Sequence, residues 1–167
     1  LILFNVKQIK RIVVIINKKI SIFIDGDACP VKEEIFKVSY RHNLQVYLVS
    51  NQWLRMEVGP NIKKVVVADG TDEADNWIVD NIDGNGIAIT ADIPLAKRCL
   101  DKGALVLGPT GKAFREDNIG MAMAMRNLNA HRRETGDSKG HNASFTKRDR
   151  SNLLQAIEKY IQKLLNS

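Results

Sequence analysis

The chain is poor in cysteine and histidine and has no long apolar run, and each shortage removes a class of protein. Among its 167 residues the only cysteines are Cys29 and Cys99. They do not form a C-x-x-C pair, which argues against a disulfide framework or a zinc site and suits a reduced cytoplasmic setting. His42, His131 and His141 show no metal-binding spacing. The apolar runs within residues 1–19 are four to five residues long and are broken by Asn and Lys. They are too short to span a membrane, and the stretch lacks the apolar block and small-residue cleavage site of a signal peptide. No internal repeat and no long low-complexity segment occurs.

What is present describes an ordinary globular chain. Apolar residues make up 44% and charged residues 26%, and the length suffices to bury a core without disulfides. The net charge of +6 permits binding to a polyanion without requiring it. Short β-branched runs at 20–24, 46–49, 65–67, 87–89 and 104–107 read as buried strands. Helical patterns at 31–42, 72–81 and 92–102 lie between them, followed by helices over 116–133 and 148–165 and a polar loop over 134–144. A turn is expected at Gly108-Pro109-Thr110-Gly111. Strand–helix alternation predicts a three-layer, Rossmann-like α/β domain over 20–167, with a mainly parallel sheet of about five strands and helices on both faces. Residues 1–19 form an N-terminal extension, read either as an extra strand at 12–16 or as disordered.

The informative residues are aspartates placed after strand ends. Asp25 and Asp27 follow the most apolar strand, in Asp25-Gly26-Asp27. Asp72 and Asp75 open a helix one turn apart, and Asp92 follows Thr90 at the end of another strand. In an open parallel sheet the carboxyl ends of the strands share one edge, where ligands bind. A strand order of 3-2-1-4-5 would set Asp25 and Asp92 on either side of one crevice. Carboxylates gathered there repel unless a cation intervenes, and hard oxygen ligands suit Mg²⁺ or Mn²⁺. Each aspartate also suits a helix cap or first turn. Ser50 and Asn51, closing the second strand, and Thr90 are candidates to contact a phosphate or orient water. Arg115, Arg132 and Arg133 are candidate phosphate clamps.

The run DGDACPVK, then SN after a strand, GTDEADNWI, TADIPLA, NIG and TKRDRS resembles the YaiI/YqxD family of bacterial proteins over roughly residues 20 to 160. That resemblance implies a PIN-like domain, and the PIN superfamily includes Mg²⁺- or Mn²⁺-dependent ribonucleases. Asp25, Asp27, Asp72, Asp75 and Asp92 fall on its acidic positions. Two departures stand out. Asn76 replaces a second aspartate often found before the Trp-Ile pair, and 141–145 lack the prolines the family tends to carry before Phe145.

The expected function is a metal-dependent nuclease acting on RNA or single-stranded nucleic acid, with Asp25, Asp27 and Asp92 as catalytic groups. One alternative is a haloacid-dehalogenase-like phosphatase, with Asp25 as nucleophile and Lys63 or Lys64 as the required lysine. The other is a non-catalytic module binding nucleic acid or protein.

Overall fold

The computed structural model describes residues 5–10, 13, 19–26, 32–134 and 144–167, with residues 133 and 134 described only by their place in a helix. Residues 6–10 are helical, and so is Val13, the one described residue of the extra strand expected at 12–16; the Asp27 position lies outside the described residues. Six strands form one sheet: β1 (Ser21–Asp25), β2 (Gln45–Ser50), β3 (Ile62–Val66), β4 (Gly86–Ile89), β5 (Leu105–Leu107) and β6 (Ala113–Phe114). Their spatial order is β3-β2-β1-β4-β5-β6. All neighbours are parallel except β5 and β6. Among the described residues from 20 onward the helices are α1 (Lys32–His42), α2 (Glu73–Asn81), α3 (Ile93–Asp101), α4 (Ile119–Glu134) and α5 (Lys147–Leu165).

Alternation along the strands assigns the layers. Ile22, Ile24, Val46, Leu48, Ile87 and Ile89 face one side, where α1 and α5 bury Ile35, Phe36, Leu153, Ile157 and Ile161 against them. Phe23, Val49, Ala88 and Val106 face the other, against Ile78 of α2, Leu95 and Cys99 of α3 and Ile119 of α4. This is a three-layer α/β fold. The central strands are apolar throughout because both faces are covered.

Two features depart from the sequence reading. The third strand begins at Ile62, not at residue 65; it is the sheet edge that the order 3-2-1-4-5 requires, with Val66 47% exposed. An edge strand needs only one buried face, so the Val65–Val67 run marks its end rather than its centre. A sixth strand, too short for any periodicity signal, returns antiparallel beside β5 after the expected Gly108–Gly111 turn.

Local chemistry sets the element ends. Pro94 stands in the first turn of α3 and Asp92 caps it, its Oδ1 accepting from Leu95 N at 3.0 Å. Thr146 and Asp149 form a reciprocal capping box at the start of α5. The chain moves outward from β1 through β2 to β3. It then crosses with α2 to β4, on the other side of β1. The carboxyl ends of β1 and β4 therefore flank the topological switch point.

A candidate carboxylate crevice

Register places the first pair of residues. Ile24 is opposite Ile89 across β1 and β4, so the next residues, Asp25 and Thr90, lie side by side at the strand ends. Both are buried. The Thr90 hydroxyl donates to Asp25 Oδ2 at 3.0 Å and accepts from Asp92 N at 2.9 Å. One hydroxyl thus ties together the two strand ends and the start of α3. The turn after β1 needs glycine: a Cβ at Gly26 would lie 2.8 Å from the Val49 carbonyl oxygen and 3.2 Å from Leu48 Cδ1. Gly26 N donates to that same carbonyl at 2.8 Å.

Helix α2 closes the crevice from above. Trp77 packs on Phe23 and Tyr47, with ring centroids 6.2 Å and 5.5 Å away. This contact packs α2 on β1 and β2. Asp72 occupies the N-cap position but makes no side-chain capping bond, so capping does not account for it. Burial, followed by the charges of Asp92, Asp25 and Asp72, pushes the Asp75 carboxyl from 3.8 up to about 6, with Arg98 opposing. The four carboxylates are therefore close enough to share one electrostatic field. Among the described residues, however, no three Asp, Glu, His or Cys side chains are placed to hold a metal ion.

Arg98 was not singled out in the sequence, and Asn76 only as a departure from the family pattern. Arg98 Nη2 donates to Asn76 Oδ1 at 2.9 Å, linking α3 to α2. Asn76 thus faces Arg98, so an aspartate there would pair with that guanidinium, and the departure at 76 leaves the crevice carboxylates in place. The signal was weak because only packing of α2 on α3 brings positions 76 and 98 together. Cys99 is buried on the same helix and its thiol is pushed up to about 12, chiefly by burial. It offers no thiolate near neutral pH.

The remaining candidates are dispersed. Ser50 is buried at the end of β2 and accepts from Gln52 N at 3.1 Å, and Asn51 follows it, half-buried. Arg115 follows β6, whose antiparallel course carries it back toward the amino ends of the parallel strands, where Nε pairs with Asp117 at 3.0 Å. Arg132 is exposed near the end of α4, and the Arg133 side chain lies outside the described residues. The structure brings together Asp25, Asp72, Asp75, Thr90 and Asp92, and it does not bring Arg115 to them. Among the described residues, no helix is long and apolar enough to cross a membrane.

Comparison with known proteins gives one consistent answer. The family model described as "Uncharacterized BCR, YaiI/YqxD family" matches residues 23–163. A UPF0178 protein of Agrobacterium fabrum is 54% identical over 143 residues, covering 86% of this chain and 94% of the relative. One from Rhizobium meliloti is 52% identical over 143 residues, covering 86% and 98%. One from Parvibaculum lavamentivorans is 50% identical over 141 residues, covering 84% and 93%. No solved structure matches.

Proposed function

This chain belongs to the YaiI/YqxD family, and we propose that it is a divalent-cation-dependent phosphodiesterase acting on RNA or other single-stranded nucleic acid. One observation carries the reading. Asp25, Asp72, Asp75 and Asp92, from separate stretches of sequence, lie near the switch point of the sheet, close enough that the charges of Asp92, Asp25 and Asp72 add to burial in raising Asp75 to about 6. Such a concentration of negative charge favours a cation.

The donor chemistry fits Mg²⁺ or Mn²⁺. It consists of carboxylate oxygens beside a threonine hydroxyl, the hard oxygen donors these ions take. Mg²⁺ keeps several waters and is commonly held by one or two carboxylates plus substrate phosphate, so two of these carboxylates would suffice to hold it. Asp25 and Asp92 are the primary ligands in this reading, with Asp72 and Asp75 on the α2 side and Asp27 as a further candidate. A cation so held would supply Lewis-acid stabilisation of the phosphate oxygens. The protein's own part is positional. Thr90 fixes the Asp25 carboxylate and the Asp92 backbone. Asp72 and Asp75 would ligate a second ion or orient water.

The test is calorimetric titration of Mn²⁺ and Mg²⁺ into the wild type and into Asp25→Asn/Asp92→Asn, followed by cleavage of a single-stranded RNA. Binding and cleavage that are both lost in the double variant support the reading. A wild type that binds neither ion sinks it and leaves the binding module. Nothing here favours the phosphatase alternative. Lys64 Nζ donates to the Leu54 and Met56 carbonyls and lies 4.5 Å from the Trp53 ring centroid, while Lys63 is exposed on the edge strand.

A further inference from the structure

A groove lies between the start of α3, the β5–β6 turn and α4. It encloses about 480 Å³, within the roughly 300–1,000 Å³ of small-molecule sites. Ala91 and Ile93, the residues on either side of Asp92, both line it, so it runs along the backbone that leads from β4 into α3. Its opposite wall is α4, with Met121, Met125 and Arg126, and Lys112 stands on the turn.

Two properties of the lining point to one kind of ligand. Met121 is 72% exposed and Met125 47%, so α4 presents flexible apolar side chains to water instead of burying them. Thioether side chains adapt to flat, irregular apolar partners. Lys112 and Arg126 are exposed and, among the described residues, form no ion pair. An apolar strip between two uncompensated cations complements a ligand with an apolar face and an anionic backbone. A duplex keeps its base faces stacked inside, whereas a single strand can lay a base against a protein surface.

We propose that this groove binds a nucleotide unit of single-stranded nucleic acid, with backbone phosphates on Lys112 and Arg126 and the sugar and base against Met121 and Met125. The inference rests on the phosphodiesterase reading and deepens it: the strand leaves the crevice past Asp92 and enters the α4 groove.

The experiment is fluorescence anisotropy with a labelled ten-nucleotide oligouridylate and with a duplex of the same length, in EDTA so that no cleavage occurs. The wild type is expected to bind the single strand at least tenfold more tightly than the duplex. Lys112→Ala/Arg126→Ala is expected to weaken single-strand binding at least tenfold. It should also reduce the slope of log K against log salt by about 1.4, because two phosphate contacts are lost at about 0.7 each. Lys159→Ala/Lys163→Ala removes the same charge from exposed positions of α5 and should bind within twofold of wild type. Absence of single-strand binding by the wild type, equal binding by the groove variant, or equal loss in both double variants overturns the proposal. Groove-dependent binding in a protein that never cleaves with Mg²⁺ or Mn²⁺ retires the phosphodiesterase reading and keeps the groove. Cleavage by a protein whose groove variant binds normally does the reverse.

Discussion

Thr90 carries more of the crevice than its size suggests, because one buried hydroxyl serves as donor to Asp25 and acceptor from Asp92 N. Thr90→Val keeps the shape and removes both bonds. Leaving buried polar groups unmet costs roughly 1–3 kcal/mol, so urea denaturation should show a loss of that order, with weaker Mn²⁺ binding in calorimetry. Asp75 makes a prediction about pH. Its carboxyl is raised to about 6 from 3.8, so between those values the native state holds a proton that the unfolded chain has released. Stability from this group is therefore highest at the acid end and falls as pH rises through the window. A cation competes for the deprotonated form. The increase in melting temperature caused by Mg²⁺ should be larger at pH 8 than at pH 5, and an equal increase at both would remove Asp75 from the ion's surroundings.

Contacts between elements hold the layers in place at two points. Gly111, in the β5–β6 turn, has φ +86, and a Cβ there would approach Asn152 C and O at 2.6 Å and Leu153 N at 2.8 Å, all backbone of α5. Gly111→Ala should therefore cost about 2 kcal/mol or more, from the left-handed backbone and the forced displacement of α5 together. Thermal unfolding would check this. The second point is the clasp of α1 to α5, where Glu158 accepts from Arg41 and meets His42 Nε2 at 2.7 Å. Burial alone would lift the Glu158 carboxyl, but His42 and then Arg41 outweigh it and hold it below its usual value. A depressed carboxylate stabilises the fold above its unfolded pKa, and that contribution fades as pH falls through the native one. Glu158→Gln should narrow the stability difference between pH 7 and pH 3 relative to wild type, measured by denaturation at both.

At the scale of the whole molecule, the sheet separates a structural face from the face that carries the crevice. Ile157 is fully buried in the layer formed by α1 and α5, whereas Asp25, Asp75 and Asp92 meet beneath α2 and α3. Ile157→Ala should cost about 2–5 kcal/mol of stability, while Mn²⁺ affinity of the folded protein stays within twofold. A parallel loss of affinity would show the two faces to be coupled. The same division separates what the chain reveals locally from what folding adds. The sequence alone determined the alternation of strands and helices, because short β-branched runs punctuated by Gly, Pro and Asp select their conformation within a few residues. It also marked Asp25 and Asp92 as strand-end residues, and the strand order it suggested is the order found for the first five strands. It could not set where β3 begins, add the two-residue β6, pair Arg98 with Asn76 or carry Arg115 away from the crevice. Those outcomes depend on which elements pack together, and local periodicity does not record that. The shared field around Asp75 is of the same kind. It exists only because the β3–α2–β4 crossover returns the chain to the other side of β1, and a carboxylate's proton affinity is set by neighbours in space, not by neighbours in sequence.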